Sequence, residues 1–266
     1  MAEPLDIATL WQAELFGFVP LWGFLAGLAI ALIAGFIKGA VGFAMPLVIL
    51  SGLSLYLEPA EAIAGLIVPT VVSNLVQAFR YGLGQVWDVV REFRRYLMIV
   101  CVVILISAQF VTRVAPETFY LILGIPIVIL SIIQLLGVRV RVPDKNRVAA
   151  DWSVGLIAGS LGGFAGTWGP PTVIYLMAIG TPKAKSMLAQ GIIYGLGSIS
   201  LVAGHVQSGV INWTTLPFSA CLLVPALIGQ RIGLRMSDRL DPEIFRRLTL
   251  VVLLIAGLNL LRRAIF

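Results

Sequence analysis

The stretch Leu32-Ile33-Ala34-Gly35-Phe36-Ile37-Lys38-Gly39-Ala40-Val41-Gly42-Phe43-Ala44-Met45-Pro46 is answered 124 residues later by Leu156-Ile157-Ala158-Gly159-Ser160-Leu161-Gly162-Gly163-Phe164-Ala165-Gly166-Thr167-Trp168-Gly169-Pro170. The two share seven identities in fifteen positions, with no gap. Two further echoes follow in the same order. Gly84 and Trp87 return as Gly209 and Trp213, and Pro116-Glu117-Thr118-Phe119 returns as Pro242-Glu243-Ile244-Phe245. The chain therefore reads as a tandem duplication: a first repeat over 1–137, a linker over 138–151 and a second repeat over 152–266.

The setting of the motif is apolar. Of 266 residues, 59% are hydrophobic and 12% charged, against about 25% charged in an average soluble domain. That excludes a soluble enzyme, a disordered chain and a secreted disulfide scaffold, and it suits a chain solvated by lipid. Apolar segments of bilayer-spanning length, about 20 residues, run from about Phe18–Ile37, Ala60–Phe79, Tyr96–Val111 and Thr118–Leu136 in the first half. In the second they run from about Trp152–Ala165, Ser186–Gly204, Leu216–Ile232 and Phe245–Leu261. Each motif is followed by a short apolar piece, Ala44–Leu57 or Pro171–Ile179. Each half thus holds five segments. Cys101 and Cys221 lie in apolar runs and read as free, buried thiols, and one histidine with two distant cysteines offers no metal site. No cofactor is expected.

Net charge is +6, which in a soluble protein would suggest nucleic acid. Here the basic residues sit in loops. Arg80, Arg91, Arg94, Arg95, Arg139, Arg141, Lys145, Arg147, Lys183, Lys185, Arg231, Arg235, Arg239, Arg246 and Arg247 fall on one side, with Arg113, Arg262 and Arg263 on the other. The first side is therefore cytoplasmic, nucleic acid is excluded, and both termini lie outside. The head carries Glu3, Asp6 and Glu14 before any basic residue, so no cleaved signal is expected. Residues Gln85 to Arg95 read either as an amphipathic interfacial helix or as a basic loop. Each half crosses the membrane an odd number of times, so the copies point in opposite directions. The fold expected is all-α: a polytopic membrane protein of two inverted-topology repeats, with Gly/Pro-broken helix hairpins meeting near the midplane.

Matched broken segments in two halves are the best sequence pointer to a transporter's binding site. Glycine and proline free backbone amides at membrane depth, and helix N-termini there attract anions. Gly-x3-Gly also reads as helix-packing glue. Lys38 is the one basic residue inside an apolar stretch. It reads as a partner for an anionic substrate or as a residue that snorkels to the interface. Carboxylates are absent from the middle of the spans, which fits an anion path. The candidate binding residues are Lys38, Gly39, Gly42, Phe43, Pro46, Asn74, Gln77, Gly163, Gly166, Thr167, Trp168, Gly169, Pro170 and Gln190, with Ser73 and Ser198 as further polar positions. A serine-histidine dyad of Ser198 and His205 is excluded, since seven helical residues separate them by about 10 Å. His205 itself reads as an interfacial structural residue.

The duplicated motif, with the Gly84–Trp87 and Gly209–Trp213 turns, resembles the TauE/SafE family, also called the 4-toluene sulfonate uptake permease or sulfite exporter family. That resemblance covers nearly the whole chain. It implies a transporter, not an enzyme, for sulfite or organosulfonates in the bacterial inner membrane. The first copy departs from the family by having Phe43-Ala44-Met45 where glycines are common. The function expected is secondary transport of small sulfur-containing anions by alternating access. An anion channel or uniporter of the same fold, or a transporter for another small organic anion, is the alternative. The partners expected are the anion and membrane lipid, with a homodimer left open.

Overall fold

A computed structural model describes residues 11–79, 83–137, 141–237 and 242–265. Among these residues the fold is all-α apart from a two-stranded hairpin, β1 (Glu14–Leu15) with β2 (Val19–Pro20). Ten helices follow: α1 (Leu21–Val41), α2 (Met45–Leu53), α3 (Pro59–Phe79), α4 (Leu83–Ala108), α5 (Pro116–Leu135), α6 (Arg147–Ala165), α7 (Gly169–Ala178), α8 (Lys183–Gln207), α9 (Thr215–Ser237) and α10 (Pro242–Ile265). Six apolar stretches of these helices are long enough to cross a membrane. Large side chains such as Ile33, Val76, Ile129, Ile157 and Ile228 stand exposed on them. A polytopic membrane protein needs such a surface, because lipid is their solvent.

The boundaries follow local chemistry. Pro46, Pro116 and Pro170 sit in first turns, where the missing N–H costs nothing. Pro69 lies inside α3 and leaves the Gly65 carbonyl without its helical donor. The Ser219 hydroxyl supplies one at 3.1 Å. Three expectations change. The first helix starts at Leu21, because Phe16 and Gly17 turn the chain at positive φ and Phe18–Pro20 belong to the hairpin. Residues 85–95 are the first turns of the continuous helix α4, whose buried face carries Val89 and Phe93, so they are neither a separate surface helix nor a loop. Helix α6 already begins at Arg147, inside the stretch read as linker. Arg80, Arg139, Arg239, Glu3 and Asp6 lie outside the described residues.

Helix directions can be read from paired contacts. A side chain placed at Gly35 would strike the Ala226 carbonyl and one at Gly39 the Gln230 carbonyl, so α1 and α9 run parallel at backbone contact. Gly159 lies against Val103 and Gly163 against Ser107, so α6 and α4 run parallel in the same way. Gly65 meets Phe218, and the Gln230 amide donates to the Ser73 carbonyl at 3.5 Å, which aligns α3 with α9. Gly191 abuts Gln77 while Ser198 bonds Asn74, so α8 runs against α3. Helices α1, α3 and α9 therefore point one way, and α6 and α4 pack with α8 in the other sense (Gly204 lies on Ala108 and Cys101 near Ser200). The main helix contacts are preserved when each helix is exchanged for the one five places away: α1 with α9 becomes α6 with α4, α3 with α9 becomes α8 with α4, and α5 with α10 maps onto itself.

The short helices turn back. Gly52 of α2 packs on Ile30, and the hydroxyl of Tyr56, just beyond α2, donates to the Gly23 carbonyl at 2.7 Å. Similarly, the Val142 amide, just before α6, donates to the Ala178 carbonyl at the end of α7, at 2.8 Å. Both pairs are helical hairpins. Neither cysteine is fully buried as expected: Cys101 is half-buried, and Cys221 is exposed on α9.

Candidate functional site

The glycines of each motif divide into two jobs. Gly35, Gly39, Gly159 and Gly163 are the close-approach positions just described. Gly42 (φ 91°) and Gly166 (φ 64°) end α1 and α6 in left-handed conformations, which glycine adopts without steric cost. Ala44 also has positive φ, 81°, where its counterpart Trp168 is at −104°. The two breaks cross each other. A Cβ on Gly166 would lie 3.4 Å from Pro46, and one on Gly169 would lie 3.1 Å from Phe43. Rising numbers on one side meet falling numbers on the other, so the crossing is antiparallel. It brings the N-terminal ends of α2 and α7, with their open amides, to the middle of the molecule.

A small cavity of about 20 Å³ lies at this crossing, lined by Lys38, Phe43, Ala44, Pro46, Asn74, Gly166, Thr167, Trp168, Gly169, Pro170 and Tyr194. It holds little more than one water. Lys38 is 3% exposed, so it does not snorkel. Its ammonium donates to Asn74 Oδ1. Asn74 Nδ2 in turn donates to Ser198 Oγ at 2.7 Å, and Ser198 Oγ to the Tyr194 carbonyl at 2.6 Å. Among the described residues no carboxylate pairs with Lys38. The Trp168 indole is 2% exposed and its Nε1 has no partner among the described residues. Thr167 Oγ1 is engaged with the Ala165 carbonyl at 3.0 Å. A cavity offering an ammonium, an unpaired indole N–H and two helix N-termini, and no carboxylate, is suited to a small anion.

Of the residues singled out in the sequence, Lys38, Phe43, Pro46, Asn74, Gly166, Thr167, Trp168, Gly169 and Pro170 line the cavity. Gly39 and Gly163 face neighbouring helices instead, the first the Gln230 backbone and the second Ser107 and adjacent backbone. Gly42, Gln77 and Gln190 stand beside it: a Cβ on Gly42 would lie 3.9 Å from Gln77 Nε2 and 4.0 Å from Gln190 Oε1. Around Gly166 the places of those glutamines are taken by Leu201 and Leu66, the residues 124 positions from Gln77 and Gln190 in each direction. Sequence reasoning missed Tyr194, whose hydroxyl donates to the Gly169 carbonyl at 3.2 Å. The pairing of Asn74 with Ser198 was legible as an offset of 124, but nothing in the sequence says that the two meet. Ser198 bonds Asn74 and Tyr194, while His205 Nδ1 lies 3.5 Å from Ser208 Oγ. His205 is fully buried in the last turn of α8, which ends two residues later at Gln207.

A model of the sulfite exporter TauE/SafE family matches residues 25–260, almost the full chain and both breaks. The chain belongs to that family. No curated protein and no solved structure matches significantly. The TauE/SafE chain is thus a multi-pass protein of a transporter family, and the antiparallel crossing is the feature within the matched region that gathers donors around a cavity.

Proposed function

We propose that this protein is a secondary transporter that moves a small sulfur-containing anion, sulfite or a compact organosulfonate, across the inner membrane by alternating access. The observation that carries the reading is Lys38: a buried ammonium on a cavity wall, held by an amide oxygen and without a counter-charge among the described residues. Burying such a group is costly unless it is paired, and a bound anion supplies the pair. Trp168 Nε1 and the open amides at the starts of α2 and α7 complete the cradle. The family match supports the substrate class.

The two halves act as inverted repeats, and rocking of one half on the other opens the cavity to alternate sides. Two features favour a carrier over a channel. The cavity holds little more than one water, so binding of a larger anion calls for the hairpins to move apart. Buried side chains also stand on either side of it, Leu66 and Leu201 around Gly166 and Tyr96 and Tyr175 near the other end of α7. In this reading the Gln77–Gln190 end faces the cytoplasm, on the side richer in basic loops.

Counterflow in sealed proteoliposomes tests this. Vesicles preloaded with unlabelled sulfite are expected to accumulate labelled sulfite transiently, and Lys38→Ala is expected to abolish the overshoot while the protein still reconstitutes. Labelled sulfite that only equilibrates, without an overshoot, points to the channel. An unaltered overshoot in Lys38→Ala removes the lysine from the site.

A further inference from the structure

We propose that the arginine-lined pocket between the starts of α4 and α6 is a second, peripheral site for a small oxyanion, which feeds the central cavity. The pocket measures about 410 Å³ and is lined by Arg91, Glu92, Arg94, Arg95, Arg147 and Asp151, a volume within the range of about 300–1,000 Å³ typical of small-molecule sites. Its carboxylates are already engaged. Glu92 pairs with Lys185, and Asp151 pairs with Arg95 at 3.4 Å and accepts the Tyr175 hydroxyl. Arg91, Arg94 and Arg147 have no carboxylate partner among the described residues. Arg147 is held over the buried Phe93 ring at 5.5 Å, which orients its guanidinium. Planar guanidinium groups bind sulfur and phosphorus oxyanions through paired N–H donors. Loop arginines that serve only to orient the chain in the membrane need no concave arrangement and no buried aspartate beneath them.

The pocket also connects to the centre. Asp151 holds Tyr175, which stacks on Tyr96 with ring centroids 4.4 Å apart and planes within 3°. The Tyr96 hydroxyl is 2.9 Å from Thr172 Oγ1, which donates to the Trp168 carbonyl at 2.6 Å. Six residues of α7, about 9 Å, separate Tyr175 from Gly169 on the cavity wall. The tyrosine pair is therefore the partition between the peripheral pocket and the central one. Passage onward rests on the transport reading above, but binding in the pocket does not.

Anionic lipid headgroups carry the same phosphate chemistry, so the test separates the two sources. Labelled sulfite binding is measured on the full chain in nanodiscs of phosphatidylcholine, with and without phosphatidylglycerol. The wild type is expected to bind at two sites. Arg91→Gln/Arg94→Gln, whose changes lie on exposed positions, is expected to lose one of them, with affinity there falling by about tenfold or more, and Arg91→Lys/Arg94→Lys to retain it more nearly. Lys38→Ala is expected to lose the other. Two sites persisting in Arg91→Gln/Arg94→Gln overturns the peripheral site. Loss of a site only when phosphatidylglycerol is present makes a headgroup its occupant and also overturns the assignment. Loss in the arginine variant combined with no loss in Lys38→Ala upholds the pocket and refutes the central reading instead.

Discussion

Lys38 and Ala44 in the first break correspond to Gly162 and Trp168 in the second. A large side chain at one position is matched by a small one at the other, in opposite order. Gly162 and Gly197 leave the room that the indole fills; a Cβ at either would lie within 3.1 Å of the ring. The cavity thus receives an ammonium from one half and an indole from the other, which two identical repeats could not supply. Trp168→Phe keeps most of the ring and removes the unpaired N–H. Hydrogen bonds to charged groups are worth about 1.5–3 kcal/mol, so sulfite affinity measured by calorimetry is expected to fall about tenfold or more; an unchanged affinity takes Nε1 out of the cradle. Ala44 sits at positive φ, a conformation that suits glycine. Ala44→Gly is expected to be neutral or to stabilise by up to about 1 kcal/mol, read as an equal or higher midpoint on thermal unfolding in detergent.

At the level of elements, the helices that carry the breaks are held by backbone contact. Gly35 and Gly39 on α1 meet α9, and Gly229 and Gly233 on α9 meet α1 in return. Lipid gives apolar side chains no reason to leave it, so packing of this kind holds membrane helices together. Gly35→Ala drives a methyl into the Ala226 carbonyl, which a rigid backbone cannot evade. It is expected to lower stability by about 1–3 kcal/mol, seen as a lower unfolding midpoint. Gly84→Ala on α4 meets nothing within 4 Å and is expected to leave the midpoint unchanged or raise it. Equal behaviour of the two variants would remove the close-approach account. The same motif therefore serves both readings of its glycines, packing in its first two and a chain break in its third.

For the whole molecule, direction is written in what surrounds the two breaks. Gln77 and Gln190 flank Gly42, while Leu66 and Leu201 flank Gly166. Eleven residues of α3 separate Leu66 from Gln77, about 16 Å along the helix, so polar and apolar walls lie on opposite sides of the crossing. Leu66 and Leu201 are both fully buried. Leu201→Ala shortens a fully buried side chain there, and is expected to raise sulfite leak from loaded vesicles several-fold in the absence of external anion. Gln190→Leu is expected to slow exchange without adding leak. If Leu201→Ala vesicles stay as tight as wild type, the barrier lies elsewhere.

What the sequence by itself determined was the membrane setting, the number of segments and the pair of broken helices. Each rests on local chemistry: apolar length, glycine and proline at a fixed spacing, and an echo that can be counted. It also nominated most of the cavity wall, because Lys38, Trp168 and the motif residues are anomalous where they stand. Only the tertiary structure decided which of these face one another. Asn74 meets Ser198, Lys38 is buried instead of reaching the interface, and Tyr194 lines the cavity, yet none of these is anomalous in its own segment. Asp151 and Tyr175 come together only because α7 folds back along α6. Such pairings depend on the crossing of helices far apart in the chain, and periodicity along one helix carries no information about the helix that will lie across it.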